Sequence, residues 1–487
     1  MDANTIMELR PALTEYLHTY DECFGRWTAR RHLDTYVEGQ LGDLQRKSVE
    51  PIADRAGVPA RTLQQFLSLY RWDEPAMRDQ LQQRVARLHA DPSSVGIIDE
   101  GSFVKKGDKT ACVQRQHCGT SGKLDNCMVS VHLGYATPDF HTLLDGEPYL
   151  PKETWGQDRE RCRQAAIPDE VVYRSKWLIA LDQFKRAVAN GVRFAWLTFD
   201  EWYGGKPPFL RELDGMGQNY VAEVPADLHV WTAQPPVLYR DHARDKPRPG
   251  RRRRYPRLKV QHNPTVEVRN ALRHSPILRH EPWVKYHVKD GSKGPMVWEA
   301  KRITVYLKDE HGLPGAPHHL LVARNVTNPD EIKFFISNAP PQTPTETLLP
   351  VAFSRWKIER MFEDSKQELG MDHFEVRKYG SICRHLILSC VSHLFLAEFR
   401  QEHRGEKSRP DDQSGARGDL CAGRTLGAWG TLFAEAGRND RRANPDNAGP
   451  QRQSRAESPQ ANDPTITRSW DQAQRVGTLS METLVAL

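Results

Sequence analysis

Two short apolar runs, each followed by a carboxylate, limit the fold of this chain more than any other feature. Residues 95–98 precede Asp99, and residues 192–199 precede Asp200. Apolar runs of this length are typical of buried strands. Helical and further strand-like segments alternate with them up to residue 224. Strands that alternate with helices predict a mixed α/β sheet, in which functional sites gather at strand ends.

Asp99 and Asp200 are candidate metal ligands because of where they stand. A carboxylate just past a buried strand is held rigidly by the sheet, while its oxygens still reach solvent. Two such groups on neighbouring strands offer the hard oxygen ligands that Mg²⁺ prefers. Taken singly, each aspartate is more often a turn or helix-cap residue. The pair, rather than either residue alone, therefore indicates a metal site.

A third acidic segment lies at residues 355–366. At 100° per residue, Arg355, Glu359 and Lys366 fall on one face of a helix. This face suits a metal-bound phosphodiester, because Glu359 would bind metal while the two cations neutralise phosphate oxygens. The alternative is an exposed helix with i,i+4 ion pairs, and spacing alone favours neither interpretation. Glu363, one turn further on, competes with Glu359 as the third ligand.

The chain of 487 residues is too long for one ordinary core and predicts several domains. Residues 1–92 repeat apolar positions every three or four residues and predict a helical domain. Within it, residues 50–70 resemble a helix-turn-helix, which either contacts DNA or is a packed αα-hairpin. The remaining predicted segments are 93–224, the first part of the α/β core; 225–345, a β-rich basic insertion; 346–400, helices that complete the core; and 401–487, a tail with few apolar residues that we expect to be mostly disordered.

Basic residues are concentrated in a few places. The chain has 69 Lys and Arg against 63 Asp and Glu, a net charge of +6. The basic residues that stand out are Lys105 and Lys106, shortly after Asp99, and Arg251, Arg252, Arg253 and Arg254 in the insertion. These cations could bind DNA phosphates, although basic runs are also commonly solvated loops.

Composition argues against several other classes of protein. No run of 18 apolar residues is present, which argues against a membrane span. The acidic N-terminal sequence shows no secretory signal, and eight cysteines are too few for a disulfide scaffold. These features predict a cytoplasmic protein with reduced thiols.

The three acidic segments together resemble the DDE transposases of bacterial insertion sequences, in the branch with a Y-x2-R-x3-E-x6-K signature around the third acid. Arg355, Glu359 and Lys366 match R-x3-E-x6-K at the right intervals. The segment around Asp99 is similar to the first block of the family, and residues 199–204 are similar to the second. The resemblance covers roughly residues 20–400.

This resemblance implies an RNase H-like core in which Asp99, Asp200 and Glu359 are catalytic and bind two Mg²⁺ or Mn²⁺ ions. Arg355 and Lys366 would bind DNA phosphates. The implied partner is double-stranded DNA, both the element ends and the target. A homodimer or larger synaptic complex is expected because two ends must be held together. The implied location is the bacterial cytoplasm, in association with the nucleoid.

The sequence departs from the family pattern in three places. Ala352 stands where the signature has Tyr, with Phe353 beside it. Trp202 stands where the second block usually has Gly, and would crowd the turn after Asp200. The tail is atypical. These departures leave two alternatives open, an RNase H-like nuclease without strand transfer and a decayed, inactive copy that only binds DNA.

Overall fold

The computed structural model describes residues 3–239, 255–291 and 294–403. Arg251, Arg252, Arg253 and Arg254 lie outside these residues, as does the predicted tail from residue 404 onward. The predictions made for them therefore stay predictions. The described residues all belong to one compact unit.

Five α-helices form the N-terminal part of the chain. They are α1 (Ala3–His18), α2 (Trp27–Leu41), α3 (Val49–Ala56), α4 (Ala60–Ser68) and α5 (Glu74–Leu88), with a 3₁₀ turn at Asp21–Cys23. α3 ends at Gly57, whose φ of 68° lies in the left-handed region that glycine adopts without strain. Ile52 of α3 and Phe66 of α4 are buried. Two helices joined by a short turn are therefore present at residues 50–70, and DNA contact there stays a prediction.

A ten-stranded mixed sheet lies at the centre of the molecule. Its first six strands are β1 (Val95–Val104), β2 (Gln114–Cys118), β3 (Lys123–Ala136), β4 (His141–Pro148), β5 (Trp196–Phe199) and β6 (Tyr220–Val224). β3 pairs antiparallel with both β1 and β4, whereas β5 pairs parallel with both β1 and β6. The predicted mixed α/β sheet is confirmed.

Short helices connect and cover these strands. They are α6 (Arg159–Gln164), α7 (Lys176–Ala189), α8 (Glu201–Gly204) and α9 (Pro207–Gly215), with a π-helical turn at Lys152–Gly156. α7 lies against the sheet, where the buried Gln183 side-chain amide donates to the Val131 carbonyl at 2.9 Å. A helical connection of this kind is what allows β5 to run parallel to β1.

Four of the strands described in the segment between the second and third acidic residues extend the same sheet, and the other four form two separate two-stranded sheets. The segment contains β7 (His229–Val230), β8 (Val237–Leu238), β9 (Arg257–Leu258), β10 (Val266–Glu267), α10 (Val268–His274), α11 (Pro276–His280), β11 (Val284–Gly291), β12 (Gly294–Lys308), β13 (Pro314–Asn325) and β14 (Ile332–Ser337). β14 pairs antiparallel with β6 and places Phe335 opposite Glu223. The β-rich segment predicted at 225–345 is therefore continuous with the core sheet at this edge.

The C-terminal helices close the core. They are α12 (Thr345–Ser354), α13 (Trp356–Glu363) and α14 (Tyr379–Glu402), with a π-helical turn at Asp364–Glu368. Among the described residues, α14 alone is long and apolar enough to cross a membrane, but 83% of its apolar window is buried inside the protein. Its length and composition are those expected of a helix at the centre of a core.

Candidate active site

Three acidic residues stand side by side where three parallel strands meet. The register pairs Ile98 with Phe199, and Phe199 with Ala222. The residues that follow these positions are Asp99, Asp200 and Glu223. Because neighbouring strands lie about 4.8 Å apart, the sheet alone brings the three carboxylates together. Two of them were predicted from the sequence, and Glu223 was not.

The apolar run predicted that the strand would end at Asp99, but it does not end there. β1 continues to Val104 by pairing with β3, and only the parallel partner β5 stops at Phe199. The Asp99 side chain is 18% exposed. Its Oδ1 accepts from the Glu100 backbone N–H at 2.7 Å, and its Oδ2 accepts from Arg355 Nη1 at 3.0 Å. Burial, followed by the negative charge of Asp200, raises the pKa of Asp99 to about 7, and Arg355 opposes this rise.

Asp200 caps a helix through one of its two carboxylate oxygens. Its Oδ1 accepts from the backbone N–H groups of Trp202 at 3.1 Å and Tyr203 at 3.2 Å, the capping arrangement for α8. Both bonds use the same oxygen, which leaves Oδ2 for a cation. Burial raises the pKa of this carboxyl, and the two capping N–H groups lower it. The cap interpretation and the ligand interpretation are therefore compatible.

Trp202 does not crowd the turn after Asp200. Trp202 is 37% exposed, with the ammonium groups of Lys206 at 4.7 Å and Lys176 at 5.2 Å from its ring centroid.

The close packing of α8 on β6 requires glycine at position 204. A Cβ at position 204 would lie 1.9 Å from the Glu223 carbonyl oxygen. The absence of a side chain there lets α8 lie directly on β6, which fixes Asp200 beside Glu223.

Arg355 links the third acid, Glu359, to Asp99 and Glu223. Its guanidinium lies 3.0 Å from Asp99 Oδ2, 3.5 Å from Glu359 Oε1 and 3.8 Å from Glu223 Oε2. Glu359 is on α13, and its side chain is 65% exposed. The i,i+4 ion pair that was the alternative interpretation of this segment is present, and the same guanidinium also reaches the first acid. The rival ligand Glu363 instead pairs with Arg360 at 3.0 Å.

Lys366 reaches the same strand as Arg355. The α-helix gives way to a π-helical turn at Asp364–Glu368, and from there Lys366 Nζ donates to Thr120 Oγ1 at 3.1 Å and to the Ser102 carbonyl at 3.4 Å. Ser102 is three residues beyond Asp99 on β1. Burial lowers the pKa of this ammonium. Arg355 and Lys366 thus both contact β1. Arg355 contacts the carboxylate of Asp99, and Lys366 contacts the backbone three residues further on.

The other predicted phosphate-binding residues differ in availability. Lys105 Nζ donates to the Phe374 carbonyl at 2.7 Å and lies 3.3 Å from the Phe374 ring centroid. Burial lowers the pKa of Lys105 to about 8. Lys106 is exposed. A phosphate could reach Lys106 directly, whereas Lys105 would first have to leave the Phe374 carbonyl.

Glu223 is the functional candidate that sequence reasoning missed. Its Oε1 accepts from Lys333 Nζ of β14 at 2.6 Å, and its Oε2 faces Arg355. A signal is present in the sequence, because the strand-like segments extend to residue 224 and β6 carries a carboxylate one residue from its end. Without the parallel register of β5 and β6, however, nothing connected that carboxylate to Asp200.

The acidic residues fit a divalent cation, although they do not form a closed ligand set. Among the residues that the structure describes, no group of three or more His, Cys, Asp or Glu side chains is arranged to hold a metal ion. Asp99 and Asp200 are close enough for the charge of Asp200 to raise the pKa of Asp99. A divalent cation relieves this repulsion. In this structure, the guanidinium of Arg355 is the positive charge that pairs with Asp99 and Glu359.

The family model that matches this chain covers the first two acids. Residues 19–295, more than half of the chain, match the family model described as DDE superfamily endonuclease. A segment of 195 residues is 31% identical to the "Probable transposase for insertion sequence element IS701" of Microchaete diplosiphon. This match covers 39% of the chain and 48% of that protein, so the chain spans about half the length of the curated relative it matches.

Proposed function

Because the chain belongs to the DDE superfamily of endonucleases, we propose that it is the transposase of an insertion sequence. It would bind the terminal inverted repeats of its element, cut double-stranded DNA at these ends and join them to a target. The observation that carries this proposal is the convergence of Asp99, Asp200 and Glu359 through the parallel register and the shared guanidinium of Arg355. The curated relative that it matches is named a probable transposase.

The sheet supports an RNase H-like core. The strand order is β4-β3-β1-β5-β6, in which the first three strands are antiparallel and the last three are parallel. Asp99 and Asp200 follow the parallel-paired part of two adjacent strands in the middle of this order. Functional groups in α/β sheets gather at such positions because the parallel strands place their carboxyl ends on one edge.

DDE superfamily endonucleases use divalent metal ions, and we assign two Mg²⁺ or Mn²⁺ ions to Asp99, Asp200 and Glu359. Such ions generate a nucleophile from water and stabilise the oxygen that leaves phosphorus. Asp99 and Asp200 provide rigid carboxylate oxygens at the sheet edge. Glu359, 65% exposed on α13, lies 3.5 Å from Arg355. The DNA strand would lie where the sheet edge and α13 meet.

Cations of this chain would neutralise the phosphates of the bound strand. Arg355 and Lys366 flank the acids, and a guanidinium forms paired hydrogen bonds with phosphate oxygens. Lys105, Lys106 and the arginines Arg251, Arg252, Arg253 and Arg254 would extend the contact along the duplex. Each phosphate contact adds about 0.9 to the slope of log affinity against log salt concentration. Holding two element ends requires a dimer or larger assembly, and bacterial cytoplasm with access to the nucleoid is the expected location.

Substitution of the three acids tests the proposal. Asp99→Ala, Asp200→Ala and Glu359→Ala should each abolish metal-dependent cleavage of an oligonucleotide that carries the repeats flanking the gene. Binding of the same oligonucleotide in a gel shift should remain. Glu363→Ala is the matched control, because Glu363 lies one turn beyond Glu359 and pairs with Arg360. Wild-type cleavage by any of the three variants would remove that residue from the site.

A nuclease without strand transfer is the second candidate, because the matching family description names an endonuclease. The two candidates differ in what they do with a free 3′-hydroxyl. Pre-cut ends offered together with a supercoiled plasmid would be joined to the plasmid by a transposase and left unjoined by a simple nuclease. Metal-dependent cleavage by the purified chain would at the same time exclude a decayed copy that only binds DNA.

A further inference from the structure

We propose that Glu223 is a positioning residue that receives the guanidinium of Arg355 when a divalent cation binds Asp99 and Asp200. In the metal-free protein, Arg355 serves as the counter-charge of Asp99, and the incoming cation must displace it. This inference rests on the proposed function for its metal site, and it adds a residue and an exchange of partners that the three acids alone do not require.

The first step of the argument is competition for one oxygen. Asp99 Oδ1 is engaged by the Glu100 backbone N–H, and Asp99 Oδ2 by Arg355 Nη1 at 3.0 Å. A cation that bridges Asp99 and Asp200 needs an oxygen of Asp99 that faces Asp200. The guanidinium and the cation are both positive, so they repel each other across the few ångströms of this partly buried site. Metal binding and the Arg355–Asp99 ion pair are therefore mutually opposed.

The second step is the position of Glu223. Its register places it next to Asp200, on the side away from Asp99. Its Oε2 already lies 3.8 Å from Arg355 Nε. Its Oε1 is held by Lys333 Nζ at 2.6 Å, so the carboxylate is anchored with one oxygen directed toward Arg355. A small movement of the guanidinium would exchange the contact with Asp99 for a closer contact with Glu223.

The third step is the cost of leaving Arg355 without a partner. Its side chain is 23% exposed, and a partly buried guanidinium that loses its carboxylate is strongly disfavoured. Glu359 cannot supply the replacement, because the proposed function uses its carboxylate for metal. Glu223 remains as the acidic partner. The carboxylate of Glu223 is therefore already near the guanidinium in the metal-free protein.

The alternative role for Glu223 is that of a direct metal ligand, which its place beside Asp200 would also allow. The two roles predict different dependence on Arg355. A positioning residue affects metal affinity only while Arg355 is present, because it acts through the guanidinium. A ligand affects metal affinity whether or not Arg355 is present.

Binding of Mn²⁺ to the full chain, followed through the electron paramagnetic resonance signal of free Mn²⁺, tests the competition. Arg355→Gln should bind Mn²⁺ about tenfold more tightly than the wild type, as expected when a competing state populated about nine times in ten is removed. Arg360→Gln is the matched control on the same helix. Arg360 pairs with Glu363 and Asp364, so the affinity should change less than about twofold.

A double-mutant cycle tests the role of Glu223. Glu223→Gln should weaken Mn²⁺ binding about threefold in the wild-type background and by less than about twofold in the Arg355→Gln background. Glu299→Gln is the control, since Glu299 has the same 17% side-chain exposure as Glu223 but pairs with Arg324 elsewhere in the sheet. Equal weakening in both backgrounds would make Glu223 a ligand and overturn the proposal.

The outcomes separate this inference from the proposed function. If Asp99→Asn does not reduce Mn²⁺ binding, the metal site fails and both proposals are overturned. If Asp99→Asn reduces binding but Arg355→Gln does not increase it, only the exchange of partners is overturned. Should Arg355→Gln fail to fold, Arg355→Lys replaces it. Lysine presents a point charge in place of the planar guanidinium fork, which weakens the contact with Asp99, so tighter Mn²⁺ binding is expected there too, and unchanged or weaker binding would contradict the proposal.

Discussion

At the scale of single residues, Asp200 performs a structural task and a proposed chemical task that substitution can separate. Asparagine caps helices as well as aspartate but carries no charge. Asp200→Asn should therefore keep the stability of the wild type and lose DNA cleavage. Asp200→Ala should lose cleavage and also about 1 kcal/mol of the free energy of unfolding. Urea denaturation of both variants measures the difference, and equal stability would show that the cap contributes nothing.

Gly204 is the second residue whose role can be isolated. A Cβ there would meet the Glu223 carbonyl at 1.9 Å, and because that oxygen belongs to the backbone of β6, α8 must move instead. Gly204→Ala should cost about 2 to 4 kcal/mol in the free energy of unfolding. It should also impair cleavage, since Asp200 begins α8.

Gly215→Ala is the control for this prediction. Gly215 is the last residue of α9, and a Cβ there would meet nothing within 4 Å. That variant should be neutral or slightly more stable than the wild type, because alanine is the better helix former. If the two alanine variants have the same stability in urea denaturation, the close approach of α8 to β6 is not a constraint.

At the scale of elements, α2 and α14 are joined by buried hydrogen bonds. The Tyr36 hydroxyl lies 2.8 Å from His385 Nδ1, and His385 Nε2 lies 2.9 Å from the Met371 carbonyl. A carbonyl only accepts, so Nε2 carries the proton and Nδ1 accepts from the hydroxyl. Gln40 Nε2 donates to Ser389 Oγ at 3.0 Å. The imidazole is thus satisfied in its neutral form.

The stability of this junction should depend on pH. Burial lowers the pKa of His385 to about 4, whereas an unfolded histidine titrates near 6.5. Between these values the unfolded chain binds more protons than the folded protein, so stability falls as the pH drops from about 6.5 to about 4. His385→Gln should reduce the loss of unfolding free energy between pH 7 and pH 5 by roughly 2 kcal/mol.

Denaturation curves at several pH values check this prediction. His274→Gln makes the same change at an exposed position at the end of α10, and its pH dependence should parallel that of the wild type. Should His385→Gln also parallel the wild type, the buried imidazole does not contribute to acid sensitivity.

The segment at residues 355–366 shows why helical spacing predicts the structure only in part. The spacing of Arg355 and Glu359 predicts the i,i+4 ion pair that is found. The same periodicity predicts that Lys366 continues one straight α-helix. In the structure, a π-helical turn begins at Asp364 instead. Lys366 still reaches β1, because the chain stays packed on that strand. Tertiary packing, rather than helical periodicity, determines where its ammonium lies.

At the scale of the whole molecule, the N-terminal helices depend on the C-terminal one. The Tyr16 hydroxyl donates to the Val391 carbonyl at 2.8 Å, and Arg84 forms two hydrogen bonds with Glu398 from Nε and one from Nη2. Arg384 of α14 donates to the Leu67 carbonyl at the end of α4. α1, α4 and α5 therefore each have partners on α14, more than 300 residues away in sequence.

A fragment of residues 1–92 should consequently fail to fold alone. Without α14, Tyr36 loses its contact with His385, and Gln40 and Arg84 lose Ser389 and Glu398. We expect helical content but no cooperative thermal unfolding by circular dichroism. A cooperative transition with a dispersed amide NMR spectrum would instead establish residues 1–92 as an independent domain, as the sequence predicts.

What the sequence determined by itself is local. Apolar runs with a terminal carboxylate gave the strands at Asp99 and Asp200, and fixed spacing gave the Arg355–Glu359 pair, because both patterns follow from backbone periodicity. Only the tertiary structure decided the rest. Glu223 joins the site through the parallel register of β5 and β6, the β-rich segment joins the core through β14, and the N-terminal helices join α14. Each of these depends on residues far apart in the chain, whose contacts no local pattern encodes.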